Sequence, residues 1–266
     1  MDLSRLFNLD SHGPDTFVGI GPRYPWGGLY GGQIVAQALR AAAATVDSDL
    51  EVHSLRSYFI RRGDHNEPIR YEVDRIRNGR SFSTRRVVAR QAVGAILNLE
   101  TSFQRPEPSI DVQAVAMPPE VPDPESLESE PWSSSADRRF VPQSWSSSIP
   151  GIGAGRTLAW VKVNAALGDD QLLHRCWLAY LSDDFPADAV QAATEIMDED
   201  RFVASLDHTI WFHRPVRADN WHLHDFTCHT YVGGRGLAVG HVFSPDGVHV
   251  ATVAQEVLMR GHRDTD

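Results

Sequence analysis

Four stretches in the first half of this chain mix strand-forming apolar residues with polar ones and read as strands: residues 52–60, 69–76, 82–90 and 95–103. Gly63-Asp64, Asn78-Gly79 and Gly94 separate the stretches and predict antiparallel turns. The pattern ahead of them is different. Residues 34–46 are apolar on most sides, with four consecutive alanines and only Gln37 and Arg40 as long polar groups. This predicts a helix wrapped by other structure. Because the sheet has few other partners, its economical packing is to curl around that helix. Gly31-Gly32, just before, lets backbone approach closely, and free N–H groups there can hold an anion.

Residues 104–156 break the pattern with nine prolines and two serine runs, at 133–135 and 146–148, and predict a long, partly irregular connector. Beyond it the pattern resumes. A strand is expected at 157–163, an apolar segment at 172–180, a helix over 184–197 with Pro186 near its start, and strands at 205–215, 222–232, 236–244 and 248–259. The second half repeats the first in letters. Ser57-Tyr-Phe-Ile-Arg-Arg62 resembles Thr209-Ile-Trp-Phe-His-Arg214, and Gly79-Arg-Ser-Phe82 resembles Gly234-Arg-Gly-Leu237. A shift of 155 residues keeps the last two strands in step and sets Glu100 on Gln255. The expected class is therefore α+β: two equivalent helix-plus-sheet units, over 1–104 and 157–266, joined by a Pro/Ser-rich acidic connector at 105–156.

Composition narrows the function classes. With 266 residues, 42% apolar and 23% charged, the chain can bury a substantial core. No window is apolar for long enough to span a membrane, and Met1-Asp-Leu-Ser-Arg-Leu-Phe-Asn8 does not read as a signal peptide. The tail from Gly261 carries no address or lipidation signal. Cys176 and Cys228 read as buried free thiols, which fits a reducing, cytoplasmic setting. The formal charge of −10 argues against general nucleic-acid binding. Charge is uneven: ten arginines face four acids between Arg56 and Arg90, whereas eight acids face three arginines between Arg105 and Arg139. The basic segment reads mainly as a solvated sheet face, and secondarily as a patch for phosphates.

One strand is too polar for a purely structural role: Ser205, Asp207, His208 and His213 stand within nine residues, and Pro215 ends the run. Several motifs then share a resemblance. Tyr30-Gly-Gly-Gln-Ile-Val-Ala-Gln-Ala-Leu39, Val52-His-Ser-Leu-Arg-Ser-Tyr-Phe59 and Asn78-Gly-Arg-Ser-Phe-Ser-Thr-Arg-Arg-Val87 resemble the acyl-CoA thioesterase II (TesB-like) family, as do Asp207-His-Thr-Ile-Trp-Phe-His-Arg-Pro215 and Ala254-Gln-Glu256. The resemblance runs from about Gly27 to Arg260 and is weakest in the connector. It implies a double hotdog fold, hydrolysis of fatty acyl-CoA to free acid and CoA without metal or other cofactor, and a homo-oligomer (dimer or tetramer) formed through the sheets. It also implies a catalytic set in the second unit. The aspartate is Asp183, in the Ser182-Asp183 pair that enters the second helix. The hydroxyl residue is Ser205, where some relatives carry Thr. The glutamine is Gln255.

Those types suit thioester hydrolysis. Asp183 can take a proton from water, while Ser205 and Gln255 fix the direction of attack. A backbone N–H at the start of the second helix, or the Gln255 amide, can hold the oxyanion. No Gly-x-Ser-x-Gly elbow exists to make Ser205 a nucleophile. His53, His208 and His213 read as structural hydrogen-bonders, and His222, His224 and His229 on one expected strand do not read as a metal site. Two other readings stand beside hydrolysis: a non-catalytic acyl-CoA binder, and an enoyl-CoA hydratase, whose Asp-x-Asn-Pro-(Leu/Ile)-His pattern is not present.

Overall fold

The computed structural model describes residues 3, 5–146, 155–194 and 202–261. Four expectations fall partly outside those residues: the helix positions 195–197, the serines at 147–148, the extreme N-terminus and the tail 262–266. Two short strands, β1 (Asp10–Ser11) and β2 (Thr16–Gly19), precede α1 (Gly31–Ala43). Then come β3 (Glu51–Phe59), β4 (Ile69–Asn78), β5 (Phe82–Gln91) and β6 (Gly94–Gln104). The second unit holds β7 (Ala136–Phe140), the short α2 (Gln143–Ser146), β8 (Arg156–Val163), α3 (Gln171–Leu181) and α4 (Pro186–Thr194). It closes with β9 (Phe202–Ser205), β10 (Asp207–Phe212), β11 (His222–Val232), β12 (Arg235–Phe243) and β13 (His249–Arg260).

All the strands among the described residues join one antiparallel sheet, in the order β1-β2-β4-β5-β6-β3-β10-β13-β12-β11-β8-β7, with β9 beside the end of β13. The order β4-β5-β6-β3 is mirrored by β10-β13-β12-β11, so the two halves are equivalent and meet at their inner strands. At that seam Leu55 lies opposite Ile210, and Ser57 opposite His208. The first sheet wraps α1, which also packs on α3, while α4 lies on β8, β11, β12 and β13. This is the double hotdog arrangement. Val35, Leu39, Leu55, Val87 and Leu99 are fully buried between α1 and its sheet, each contributing roughly 1.5–3 kcal/mol of transfer free energy. The polar residues of α1 are satisfied: Gln37 Nε2 donates to the carbonyls of Leu6 and Ile20, and Tyr71 Oη donates to Gln37 Oε1.

Three differences from the sequence reading have local causes. Helix α1 starts and stops three residues early. At its C-terminal end Arg85 claims Thr45, donating to both its hydroxyl (2.7 Å) and its carbonyl (2.8 Å), so the backbone leaves the helix there. Residues 172–180, expected only as an apolar segment, form α3, and the helix expected over 184–197 starts at Pro186, which lacks an N–H and cannot continue α3 but fits the first position of α4. Finally, residues 136–140, expected within an irregular connector, form β7 along β8, with Ala136 opposite Val163 and Phe140 opposite Ala159. The connector also supplies Val115, Met117, Val121 and Leu127 to cover a second apolar cluster around Leu158, Trp160, Leu223 and Phe243.

The letter repeat also misplaces one residue. Glu100 is exposed on the outer face, opposite Arg56 and Arg86, whereas Gln255 is 1% exposed on the inner face. The inward residue of β6 is the next one, Thr101. A one-residue offset on a strand reverses the face. The outer face holds much of the basic segment, which is partly neutralised by Glu72 with Arg70 and Arg90, and by Asp74 with Arg86.

Candidate active site

The turn between α3 and α4 carries Asp183. Ser182 ends α3, donating its N–H to the Leu178 carbonyl, and Pro186 opens α4. Between them the two aspartates diverge. Asp184 accepts from Arg138 (2.6 Å) and from the Trp132 indole (3.1 Å), which ties the turn to β7 and the connector. Asp183 turns inward and is 7% exposed. It meets the start of α1, whose N-cap Tyr30 offers no side-chain cap. The Gly32 N–H donates to Asp183 Oδ2 at 2.7 Å. A carboxylate of the second unit thus caps the helix of the first, where the helix dipole favours negative charge.

The close approach depends on the two glycines. A Cβ on Gly31 would lie 2.6 Å from Asp183 Oδ2, and one on Gly32 would lie 2.3 Å from the Tyr180 carbonyl oxygen. Gly31-Gly32 does hold an anion, as its sequence suggested, but the anion is the chain's own Asp183. Tyr30 seals the same junction by donating its hydroxyl to the Tyr180 carbonyl at 2.8 Å.

Ser205 arrives at the end of β9, where the pairing with β13 is interrupted. Val257 faces Ser205, and the ladder resumes at Thr209 opposite Ala254. In the gap, Asp207 Oδ1 accepts the Glu256 N–H at 2.7 Å, and Leu206 donates to the Glu256 carbonyl at 2.9 Å. The kink delivers the Ser205 hydroxyl to Asp183 Oδ1 at 3.1 Å. Gln255, on the inner face of β13, donates from Nε2 to Ser205 Oγ at 2.8 Å. The three residues expected to form the catalytic set, Asp183, Ser205 and Gln255, therefore stand in one hydrogen-bonded line. Behind them the His208 ring bonds Gln255 Oε1 through Nδ1 and the Ser182 hydroxyl through Nε2, the latter at 3.0 Å. His213 points to the other face and bonds Thr252 (2.9 Å), and His53 bonds Ser102 (2.8 Å), so neither joins the line.

Burial dominates the electrostatics. It pushes the Asp183 carboxyl up to about 7, against hydrogen bonds from Ser205, Gln255 and Gly32 that favour the charge, and with the nearby Asp184 adding to the rise. Burial pushes His208 down to about 4, so its ring is neutral at pH 7. A carboxyl poised near neutrality beside an oriented hydroxyl and amide can accept a proton from water.

Residues 21–104 match the acyl-CoA thioesterase N-terminal domain and residues 112–259 the acyl-CoA thioesterase C-terminal domain. The chain belongs to the acyl-CoA thioesterase family. Human acyl-coenzyme A thioesterase 8 is 34% identical over 282 aligned positions, covering 97% of this chain and 88% of the relative. Acyl-CoA thioesterase 2 of Haemophilus influenzae is 35% identical over 252 positions, covering 87% of each. Among solved structures, the acyl-CoA thioesterase II TesB2 of Mycobacterium marinum superposes with a TM-score of 0.86 at 35% identity, covering both chains completely. This thioesterase carries both domains of its family in order, and the Asp183 line lies where they meet.

The sequence names Ser182 and His208 without joining either to the set, and it does not foretell the Gly32 N–H as a partner of Asp183. A signal for His208 existed, since it shares the inner face of β10 with the buried Ile210 and Phe212. An imidazole in that row needs polar partners.

Proposed function

We propose that this enzyme hydrolyses fatty acyl-CoA to free fatty acid and CoA through a water activated by Asp183. The water oxygen attacks the thioester carbonyl carbon, and Asp183 takes its proton. The resulting oxyanion collapses, the C–S bond breaks, and CoA leaves as a thiolate that recovers a proton. Ser205 and Gln255 orient the water. The observation that carries the reading is the convergence itself. Asp183, Ser205 and Gln255 come from three separate elements and meet at 3.1 and 2.8 Å, around a carboxyl held near neutrality by burial.

Thiol release from a medium- or long-chain acyl-CoA tests it. Asp183→Ala is expected to remove nearly all turnover while the protein stays folded. Wild-type turnover in that variant would end the assignment.

The proposal extends to a cytoplasmic enzyme of lipid metabolism that assembles as a homo-oligomer through its sheets. Cys176 and Cys228 are both free thiols, which suits a reducing compartment. Tyr58, 65% exposed on the outer face of the seam strand β3, suits burial against another copy. Size-exclusion chromatography with light scattering reads the assembly, and a monomer at micromolar concentration contradicts that part.

A further inference from the structure

We infer that His208 is a positioning residue whose ring, held as the Nδ1–H tautomer, fixes which way the Gln255 amide faces and hence where the Ser205 proton points. The inference deepens the reading of Asp183 as the base and rests on it.

Gln255 Oε1 is an acceptor only, and it faces His208 Nδ1. Nδ1 must therefore carry the ring proton. The neutral ring then has a bare Nε2, which needs a donor, and the Ser182 hydroxyl stands 3.0 Å away. Ser182 has one other outlet, the Ala179 carbonyl at 3.4 Å. Were it to donate there, Nε2 would carry the ring proton, and Nδ1 and Gln255 Oε1 would meet as two acceptors. With Oε1 held by His208, the Gln255 amide turns Nε2 toward Ser205 Oγ. Ser205 accepts there, which leaves its own proton for Asp183 Oδ1. Each donor is directed by the one behind it: Ser182 to His208, His208 to Gln255, Gln255 to Ser205, Ser205 to Asp183.

Reversal has a definite consequence. If the ring held its proton on Nε2, Gln255 would flip to donate to Nδ1 and would present Oε1 to Ser205. Ser205 would then turn its proton away from Asp183. The carboxylate would keep the Gly32 N–H but lose the hydroxyl donor and the amide, and its charged form would be harder to reach. The fold holds the ring firmly. His208 is fully buried, and its carbonyl accepts the Ser57 hydroxyl from β3 at 3.0 Å. Burial keeps the ring neutral. The ionisable groups facing the line are Asp183 and Asp184 from the α3–α4 turn, Tyr30 from the start of α1 and Tyr180 from α3.

Nitrogen NMR of the wild-type protein with labelled histidine tests this without any mutation in the site. Loss of one ring signal in His208→Asn assigns His208. The inference predicts a protonated Nδ1 and a bare Nε2 at pH 7. A protonated Nε2 overturns it.

Kinetics supply the second arm. In His208→Phe the amide loses its director, so the acid limb of kcat/KM is expected to move up by about one pH unit, with kcat down about tenfold and KM little changed. His208→Asn, whose side-chain N–H reaches the Nδ1 position, is expected to keep the wild-type limb although it leaves a larger void. If both variants shift alike, or Asn shifts more than Phe, the ring acts only by filling space and the inference fails. The two claims separate cleanly. A protonated Nδ1 with full activity in Asp183→Ala would sink the base and spare the lock. A protonated Nε2 with a dead Asp183→Ala would do the reverse.

Discussion

Asp183→Asn should make the protein more stable as it makes the enzyme inactive, and the gain should depend on pH. Burial pushes the wild-type carboxyl up to about 7 in the folded protein, from an ordinary value of 3.8. The folded state therefore binds this proton more tightly than the unfolded chain does. The corresponding stability is fully present below pH 4 and is lost as pH rises through 7. About three decades at 1.36 kcal/mol each place the loss on the order of 4 kcal/mol at pH 8. Asparagine carries no charge and escapes that loss. Its oxygen can keep the Gly32 N–H, but its amide group replaces the oxygen that accepted the Ser205 hydroxyl, whose proton loses its partner. That mismatch offsets about 1 kcal/mol. The expected gain is thus about 3 kcal/mol at pH 8, falling to zero or slightly below near pH 4. Urea denaturation of both proteins at the two pH values measures it, and groups common to both cancel. A variant no more stable than wild type at pH 8, or a difference that ignores pH, would refute the claim that burial governs this carboxyl.

Four further outcomes follow from the same geometry. The kcat/KM of the wild-type enzyme should rise with pH and level off above about 7, because Asp183 works only when ionised; a profile flat from pH 5 to 9 contradicts this. Ser205→Thr keeps the hydroxyl and should retain most activity, whereas Ser205→Ala removes a donor from Asp183 and should move the acid limb upward, as read in the same profile. Gly31→Ala places a methyl 2.6 Å from Asp183 Oδ2 and should lower kcat by about a hundredfold, with circular dichroism showing an intact fold. Asp225→Ala strands Arg156, which is paired through two 2.6 Å bonds with both side chains under a tenth exposed, and should cost about 3–5 kcal/mol in urea denaturation.

The parts of this protein legible from sequence are those governed by local pattern. Strand-forming runs bounded by turn residues located the long strands, and an all-round apolar run located α1, because both signals are local. The helix start was missed because glycines argue against helix by propensity. Gly31 and Gly32 are helical because a distant carboxylate caps them, and no local pattern carries that. Strand β7 was missed because Ala-Asp-Arg-Arg-Phe has no clear alternation and lies among prolines; it forms along the otherwise unpaired edge of β8. The candidate set Asp183, Ser205 and Gln255 came from the family resemblance, and its members do meet in space. The proposed match of Glu100 to Gln255 failed because letter similarity does not record strand phase. His208 was read as a structural hydrogen-bonder, since a lone imidazole in an apolar row shows its partners only once β10 and β13 are side by side.

The central claim is that water, directed by Asp183, attacks the thioester without a covalent enzyme intermediate on that carboxylate. A single turnover in oxygen-18 water, with enzyme in excess over acyl-CoA, reads it by mass spectrometry of the released acid and of the peptide bearing Asp183. The account predicts one labelled oxygen in the acid and none in Asp183. Unlabelled acid together with a labelled Asp183 would contradict it.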